Sequence, residues 1–186
     1  MELRWLDYIL NQLAVYRAER RIDVEAQYSI LPTTLKEEYE EFINGGDENE
    51  MIDAIADMLV LSFNAKHFFN QERIEYLVDT IEFTSPRELV DKAYTLLSDI
   101  ENTNDELYEE GIASLLLILE KGYAVDSGLV MHEVVKHIMC RKQDPEQYER
   151  WIKNPDIKEK WLKDKNQPEH EIYQPDYNKC KYQTLF

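Results

Sequence analysis

The sequence predicts an all-α protein, because apolar side chains recur at helical spacing along most of the chain while turn-forming residues are scarce. Five glycines and six prolines in 186 residues are few for a turn-rich β fold. No stretch of any length alternates apolar and polar residues, as a half-buried strand would. At roughly 150 residues per domain, the length predicts one domain with a tail. The composition changes after Pro145, so we expect a helical domain over residues 1–145 and a C-terminal extension over 146–186.

The first helix is predicted from a stripe of apolar residues at spacings of three and four. The stripe consists of Leu3, Leu6, Ile9, Leu10, Leu13 and Tyr16. Residues 22–31 are predicted to form a loop. Pro32 is expected in the first turn of a second helix over 33–44, where its missing N–H costs nothing.

Two glycines and an aspartate predict a sharp turn between the second and third helices. Gly45-Gly46 ends the second helix, and Asp47 is a good N-cap for the third. Glu50 stands three residues after Asp47, which is a capping-box pattern. The third helix is expected over 48–69.

Three more helices are predicted from capping residues and apolar stripes, and none between Phe69 and Ser85. They are expected over 85–102, 104–122 and 127–142, beginning at Ser85-Pro86, at Asn104 or Asp105, and at Ser127 or Gly128. After Pro145 lysines, prolines and tryptophans replace the aliphatic stripes, and Tyr173, Tyr177 and Tyr182 punctuate the tail. We expect this segment to be irregular and to wrap over the bundle or a neighbouring subunit; a partly disordered tail is the alternative.

Charge and composition restrict the function classes. The net charge of −17 repels phosphate backbones, so a nucleic-acid partner is not expected. The longest apolar run, near residues 112–119, is less than half of a membrane span. The N-terminus has no basic segment followed by an apolar stretch, and Cys140 and Cys180 cannot build a disulfide framework. We therefore expect a cytoplasmic protein that does not enter a membrane.

The most informative stretch, residues 36–57, carries nine carboxylates and a single lysine. Glu38 and Glu41 are three residues apart and share one face of the second helix. On the third helix, Glu50, Asp53 and Asp57 stand at positions i, i+3 and i+7, so they share one face of that helix. Because only eight residues separate Glu41 from Glu50, the two acidic faces can oppose each other across an antiparallel helix pair.

Carboxylates that lie among apolar neighbours need protons, partners or a cation. Converging oxygens without basic partners suit a hard divalent ion such as Mg²⁺, with Mn²⁺ also open. A merely solvated acidic face is the alternative that a charge run usually indicates. A di-iron carboxylate bundle is not favoured, since it needs Glu-x-x-His pairs. The residues three before the four histidines are Asn64, Leu129, Val134 and Gln167.

These residues resemble a family signature. Glu37-Glu38-x-x-Glu41 followed by Glu50-x-x-Asp53 is similar to the EExxE…ExxD motif of the all-α nucleotide pyrophosphohydrolases. That superfamily holds the MazG proteins, the dimeric dUTPases and the phosphoribosyl-ATP pyrophosphohydrolase. The run from Asp53 to Val60 resembles the "DALADLLYV" stretch of its MazG-like branch. The motif region covers residues 33–65, and the family often has glycine where Asn64 stands.

The resemblance implies a MazG-like helical bundle with its active site on the acidic helix pair. It implies hydrolysis of a nucleoside triphosphate to the monophosphate and pyrophosphate, with Mg²⁺ held by Glu38, Glu41, Glu50 and Asp53. Glu37 is the candidate general base. Asp57 is the second choice for that role, or an additional metal ligand.

Basic residues that could hold the phosphates are sparse. The candidates are Arg17 and Arg21 at the end of the first helix, and Lys136, Arg141 and Lys142 near the end of the last. Because one helix pair encloses a nucleotide poorly, we expect a homodimer or a higher homo-oligomer. Two alternatives stay open: a narrow-specificity dUTPase or dCTPase of the same superfamily, and a non-catalytic acidic helical interaction protein.

Overall fold

The computed structural model describes residues 2–20, 22–66, 68–140 and 172–182, and these residues confirm the all-α prediction. The helices are α1 (Leu6–Arg20), α2 (Val24–Asn44), α3 (Glu48–Asn64), α4 (Gln71–Thr80), α5 (Pro86–Ser98), α6 (Asp105–Leu117) and α7 (Ser127–Cys140). A π-helical turn at Ile118–Gly122 continues α6, and a short 3₁₀ helix spans Tyr177–Cys180. No helix in the described ranges is both long and apolar enough to span a bilayer.

Helices α3 and α6 form the centre of the bundle. Helix α3 packs against α1, α2, α6 and α7, while α6 packs against α4 and α5 on its other sides. Side chains from Gly111 to Leu117 are all buried, as expected of a helix that is apolar all round. The buried Tyr108 hydroxyl donates to the Ser62 carbonyl at 3.0 Å, which ties α6 to α3.

Side-chain caps begin three helices where the sequence predicts them. Asp47 accepts hydrogen bonds from two backbone N–H groups of α3, at 2.8 and 3.1 Å. Ser85 accepts one from the first turn of α5 at 3.2 Å, with Pro86 directly after it. Asn104 accepts one from α6 at 2.9 Å. These local signals fix the helix starts, at about 1 kcal/mol for each cap.

The loop predicted over residues 22–31 is wrong, because α2 begins at Val24 and runs straight through Pro32. Asp23 caps the helix start, accepting from the Glu25 N–H at 3.3 Å. The buried side chains of α2 are Val24, Leu31, Leu35 and Phe42. A proline in a helix interior costs about 3 kcal/mol, whereas burying an aliphatic side chain stabilises by about 1.5–3 kcal/mol. Burial of Val24 and Leu31 together, at about 3–6 kcal/mol, is enough to offset the penalty.

The third helix does not reach Phe69 as predicted but ends at Asn64, and an unpredicted helix, α4, follows. Tertiary contacts turn the chain there. The Phe69 ring packs edge-on against Phe63, with centroids 5.4 Å apart. The backbone N–H of Asn70, the α4 cap, donates to the buried Glu109 carboxylate at 2.7 Å.

Helix α5 ends at Ser98 rather than at the predicted Asn102. Asp99 accepts from the Asn102 side-chain amide at 2.9 Å and folds the chain into a turn. The predicted domain boundary at residue 145 lies outside the described residues, as do Arg21, Arg141 and Lys142.

Candidate functional site

Four carboxylates of α2 and α3 surround one half-buried glutamate, Glu38. Helices α2 and α3 pack closely against each other on either side of the Gly45-Gly46 turn. Burial, as the largest cause, and then the charges of Asp57, Glu41, Asp53 and Glu37 together raise the pKa of Glu38 to about 8. Because each of these charges disfavours a second anion nearby, Glu38 keeps its proton at neutral pH unless a cation replaces it.

The described basic side chains form no ion pair with Glu38 or with the two glutamates of α2 that raise its pKa. In the part of the chain that the structure describes, no ion pair involves Glu37, Glu38 or Glu41. The lysine that precedes them, Lys36, points its ammonium at Glu40, 3.7 Å away on the exposed side of α2. The cluster is therefore an anionic site in which protonation of Glu38 lowers the repulsion among the carboxylates.

Glu50, another predicted metal ligand, is bonded to the turn between α2 and α3. Its exposed carboxylate accepts a hydrogen bond from the Gly46 N–H at 2.5 Å. It is also absent from the charges that act most strongly on Glu38. In this structure Glu50 stabilises the turn between α2 and α3. A capping box would have Glu50 accept from the N–H of Asp47, whereas the bond is made one residue earlier, at Gly46.

Asp53 has a partner that the sequence analysis missed. The hydroxyl of Tyr177 donates a hydrogen bond to Asp53 Oδ1. Burial raises the pKa of Tyr177, and the charges of Asp53 and Asp57 raise it further, so the phenol stays protonated. The recurrence of tyrosines in the C-terminal segment was the only signal in the sequence, and it did not indicate which tyrosine reaches the cluster.

The donor set fits a hard divalent cation in its chemistry, since every group is a carboxylate and no described basic side chain is ion-paired to Glu37, Glu38, Glu41 or Asp53. The side chains are not drawn together into a coordination shell. Among the described residues no group of three or more Asp, Glu, His or Cys side chains is arranged to hold a metal ion. Binding would require Glu38 to release its proton and the glutamate side chains to turn toward the ion.

The two predicted phosphate-binding residues that the structure describes are both engaged with protein groups. Arg17 donates from Nη1 to Asn64 Oδ1 at 2.7 Å, and burial lowers its pKa. Lys136 pairs with Glu133 at 2.9 Å and lies over the ring of Tyr173. Neither residue points a free charge toward the acidic cluster.

Residues 172–182, which we call the C-terminal strap, cross α7 and reach the start of α3. The buried carboxylate of Glu133 accepts hydrogen bonds from the Tyr173 hydroxyl and from the Asp176 N–H, the latter at 3.1 Å. Burial by itself raises the pKa of Glu133, but the hydrogen bonds from Tyr173, Lys136 and Asp176 outweigh it and hold the pKa below its usual value. Glu133 thus anchors the N-terminal half of the strap.

The far end of the strap is fixed by backbone hydrogen bonds to the turn before α7. The Asp126 N–H donates to the Cys180 carbonyl at 2.8 Å, and the Tyr182 N–H donates to the Ala124 carbonyl at 3.0 Å. Lys181 pairs with Glu48 of α3 at 2.8 Å. These contacts hold Tyr177 over the cluster from both sides.

An open cavity of about 240 Å³ lies between the strap and α3. Its lining residues are Asn49, Glu50, Asp53, Gln174, Pro175, Asp176, Tyr177 and Asn178. The cavity is adjacent to Asp53, so a ligand in it would reach the edge of the acidic cluster.

Searches with protein-family models, against curated proteins and against solved structures found no match to this chain. The resemblance to the nucleotide pyrophosphohydrolases therefore rests on the motif residues alone.

Proposed function

We propose that this protein hydrolyses a (deoxy)nucleoside triphosphate to the monophosphate and pyrophosphate in a Mg²⁺-dependent reaction. The observation that supports this most is the half-buried Glu38 among the carboxylates of Asp57, Glu41, Asp53 and Glu37, without an ion pair to Glu38 in the described part of the chain. Grouping carboxylates around a half-buried glutamate costs free energy through charge repulsion and loss of hydration. Such a cluster is unusual on a solvated surface but is expected where a cation binds and neutralises the carboxylates. The motif resemblance supplies the reaction class.

In this proposal Glu38, Glu41 and Asp53 hold the ion, and Glu50 joins them by leaving the Gly46 N–H. A bound Mg²⁺, or Mn²⁺, would neutralise the phosphate oxygens and orient the attacking water. Glu37 is exposed at the edge of the cluster, where it can accept a proton from that water. Asp57 is the second candidate for this role, or a further ligand.

We also propose that the chain works as a homodimer. Two large apolar side chains, Tyr8 on α1 and Leu129 on α7, are about half exposed. The Tyr8 ring lies 5.2 Å from His132, one turn along α7 from Leu129, so the two side chains belong to one surface. Light scattering after gel filtration should give twice the chain mass, and a stable monomer at micromolar concentration would contradict the proposal.

The experiment for the activity is pyrophosphate release from a panel of ribo- and deoxyribonucleoside triphosphates, with and without Mg²⁺. We expect Mg²⁺-dependent release with the monophosphate as co-product, and the ranking identifies a narrow dUTPase or dCTPase if one base dominates. Glu38→Gln and Asp53→Asn should abolish turnover. Glu40→Gln is the matched control, because Glu40 lies on the same helix but is exposed and pairs with Lys36 on the solvent side of α2.

One observation favours a second candidate function, a non-catalytic acidic interaction protein. The carboxylates are not arranged to hold an ion among the described residues, and the Tyr177 hydroxyl already occupies Asp53. Thermal unfolding with and without Mg²⁺ separates the two candidates. A catalytic cluster is stabilised by millimolar Mg²⁺ and further by a non-hydrolysable nucleotide, whereas an interaction surface shows only the weak effect of any salt.

A further inference from the structure

The C-terminal strap brings a single hydroxyl, that of Tyr177, to the acidic cluster. Tyr177 is only 4% exposed, and it lies against α3 although it stands 124 positions after Asp53 in the sequence. Its hydroxyl donates to one carboxylate oxygen of Asp53, Oδ1. The other oxygen, Oδ2, receives no hydrogen bond from the described residues.

The strap holds the tyrosine in this position through contacts on both sides of it. On the N-terminal side Glu133 accepts from Tyr173 and from the Asp176 N–H. On the C-terminal side the Cys180 carbonyl accepts from the Asp126 N–H at 2.8 Å. A phenol ring fixed at both flanks has little freedom to leave Asp53, so the carboxylate orientation is fixed with it.

We propose that Tyr177 is a positioning residue, which fixes the Asp53 carboxylate so that its second oxygen faces the cation site between α2 and α3. This inference rests on the proposed function, because it needs a divalent cation at the cluster. Carboxylates that bind metals are themselves hydrogen-bonded, and loss of such a partner typically weakens metal binding about 10- to 100-fold.

The test is a titration of the full chain with Mn²⁺ alone, in which electron paramagnetic resonance reports the free ion. Tyr177→Phe removes the hydroxyl and keeps the ring, and we expect Mn²⁺ affinity to fall about 10- to 100-fold. Tyr182→Phe is the matched control. It also removes one strap hydroxyl, but that hydroxyl is bonded to Glu120, away from the cluster. Its Mn²⁺ affinity should stay within about threefold of the wild type.

A second variant keeps the inference testable if Tyr177→Phe does not fold. Glu133→Gln weakens the anchor of the strap without changing Tyr177 or Asp53, and it should also lower Mn²⁺ affinity. Unchanged affinity in the folded variants overturns the positioning role. Tighter binding in Tyr177→Phe also overturns it and identifies the tyrosine as a plug that competes with the cation.

The wild type and Asp53→Asn distinguish failure of this inference from failure of the proposed function. If the wild type binds Mn²⁺ and Asp53→Asn does not, the cation site exists, and the Tyr177 variant alone decides the inference. If the wild type binds no Mn²⁺, both the inference and the metal-dependent function are wrong.

Discussion

Replacing Glu38 by glutamine should stabilise the protein at alkaline pH and leave it unchanged in mild acid. Burial and the neighbouring carboxylates raise the pKa of Glu38 from an ordinary value of 4.5 to about 8. The protonated side chain therefore contributes stability that is fully present below about pH 4.5 and is lost as pH rises through about 8. Glutamine resembles the protonated acid and does not ionise, so the variant escapes this loss.

The size of the effect follows from the shift in pKa. Each unit corresponds to about 1.4 kcal/mol, so a rise from 4.5 to about 8 gives an upper limit of about 5 kcal/mol. Because the proton can be shared with Asp57 and Glu41, part of this energy is taken up by the neighbours. We therefore expect Glu38→Gln to be about 2–5 kcal/mol more stable than the wild type at about pH 9.

The assay is urea unfolding followed by far-UV circular dichroism, at intervals from about pH 5 to about pH 9 in the absence of divalent ions. The wild type should lose stability along this range relative to the variant. Glu40→Gln is the control, since its exposed ion pair with Lys36 is worth at most about 0.5 kcal/mol. Equal stability of Glu38→Gln and the wild type at every pH would refute the claim that burial and the neighbouring carboxylates raise the pKa of Glu38.

Three other outcomes test separate parts of the structure. Stabilisation by Mg²⁺, measured as a shift in Tm, should grow as pH rises from about 6 to about 9, because the ion must displace the Glu38 proton; a pH-independent shift contradicts this coupling. Glu133→Gln should lower the free energy of unfolding by about 1–3 kcal/mol, because buried hydrogen bonds from the strap are weakened. Hydrogen exchange should also become faster in residues 172–182. Unchanged exchange there would show that Glu133 does not anchor the strap. Gly128→Ala should destabilise by about 1–3 kcal/mol in urea unfolding, because its new Cβ would lie 2.5 Å from Trp5 Cδ1. An unchanged midpoint would mean that Trp5 does not pack against the start of α7.

Helix starts were predictable where one side chain decides them. Asp47, Ser85 and Asn104 each bond to backbone groups within their own first turn. This information is local, so spacing and residue type are sufficient to predict it. The same locality explains why Glu38 and Glu41, three residues apart on α2, could be assigned to one face from the sequence.

The remaining features depend on contacts between distant parts of the chain. Pro32 is typical of the first turn of a helix, so the sequence predicts a helix start there. Only the burial of Leu31 and Val24 against other helices shows that α2 begins before it. The end of α3 is set by contacts of Phe69 and Asn70 with α3 and α6. The spacing of apolar residues along the chain does not reveal such contacts.

Within the site, residue type could not predict which partner each side chain finds. Glu50 fits a metal motif by spacing, yet in the structure it bonds to Gly46. Arg17 reaches Asn64, the position where the family often has glycine. The approach of Tyr177 to Asp53 depends on the path of the strap, which no spacing rule encodes.

The most direct measurement of the central claim is anomalous diffraction from crystals grown with Mn²⁺ and a non-hydrolysable nucleoside triphosphate. The account predicts a manganese peak between α2 and α3, bonded to at least two of Glu38, Glu41 and Asp53, with the nucleotide phosphates beside it. A structure with the nucleotide bound elsewhere, or with no manganese at these carboxylates, would contradict it.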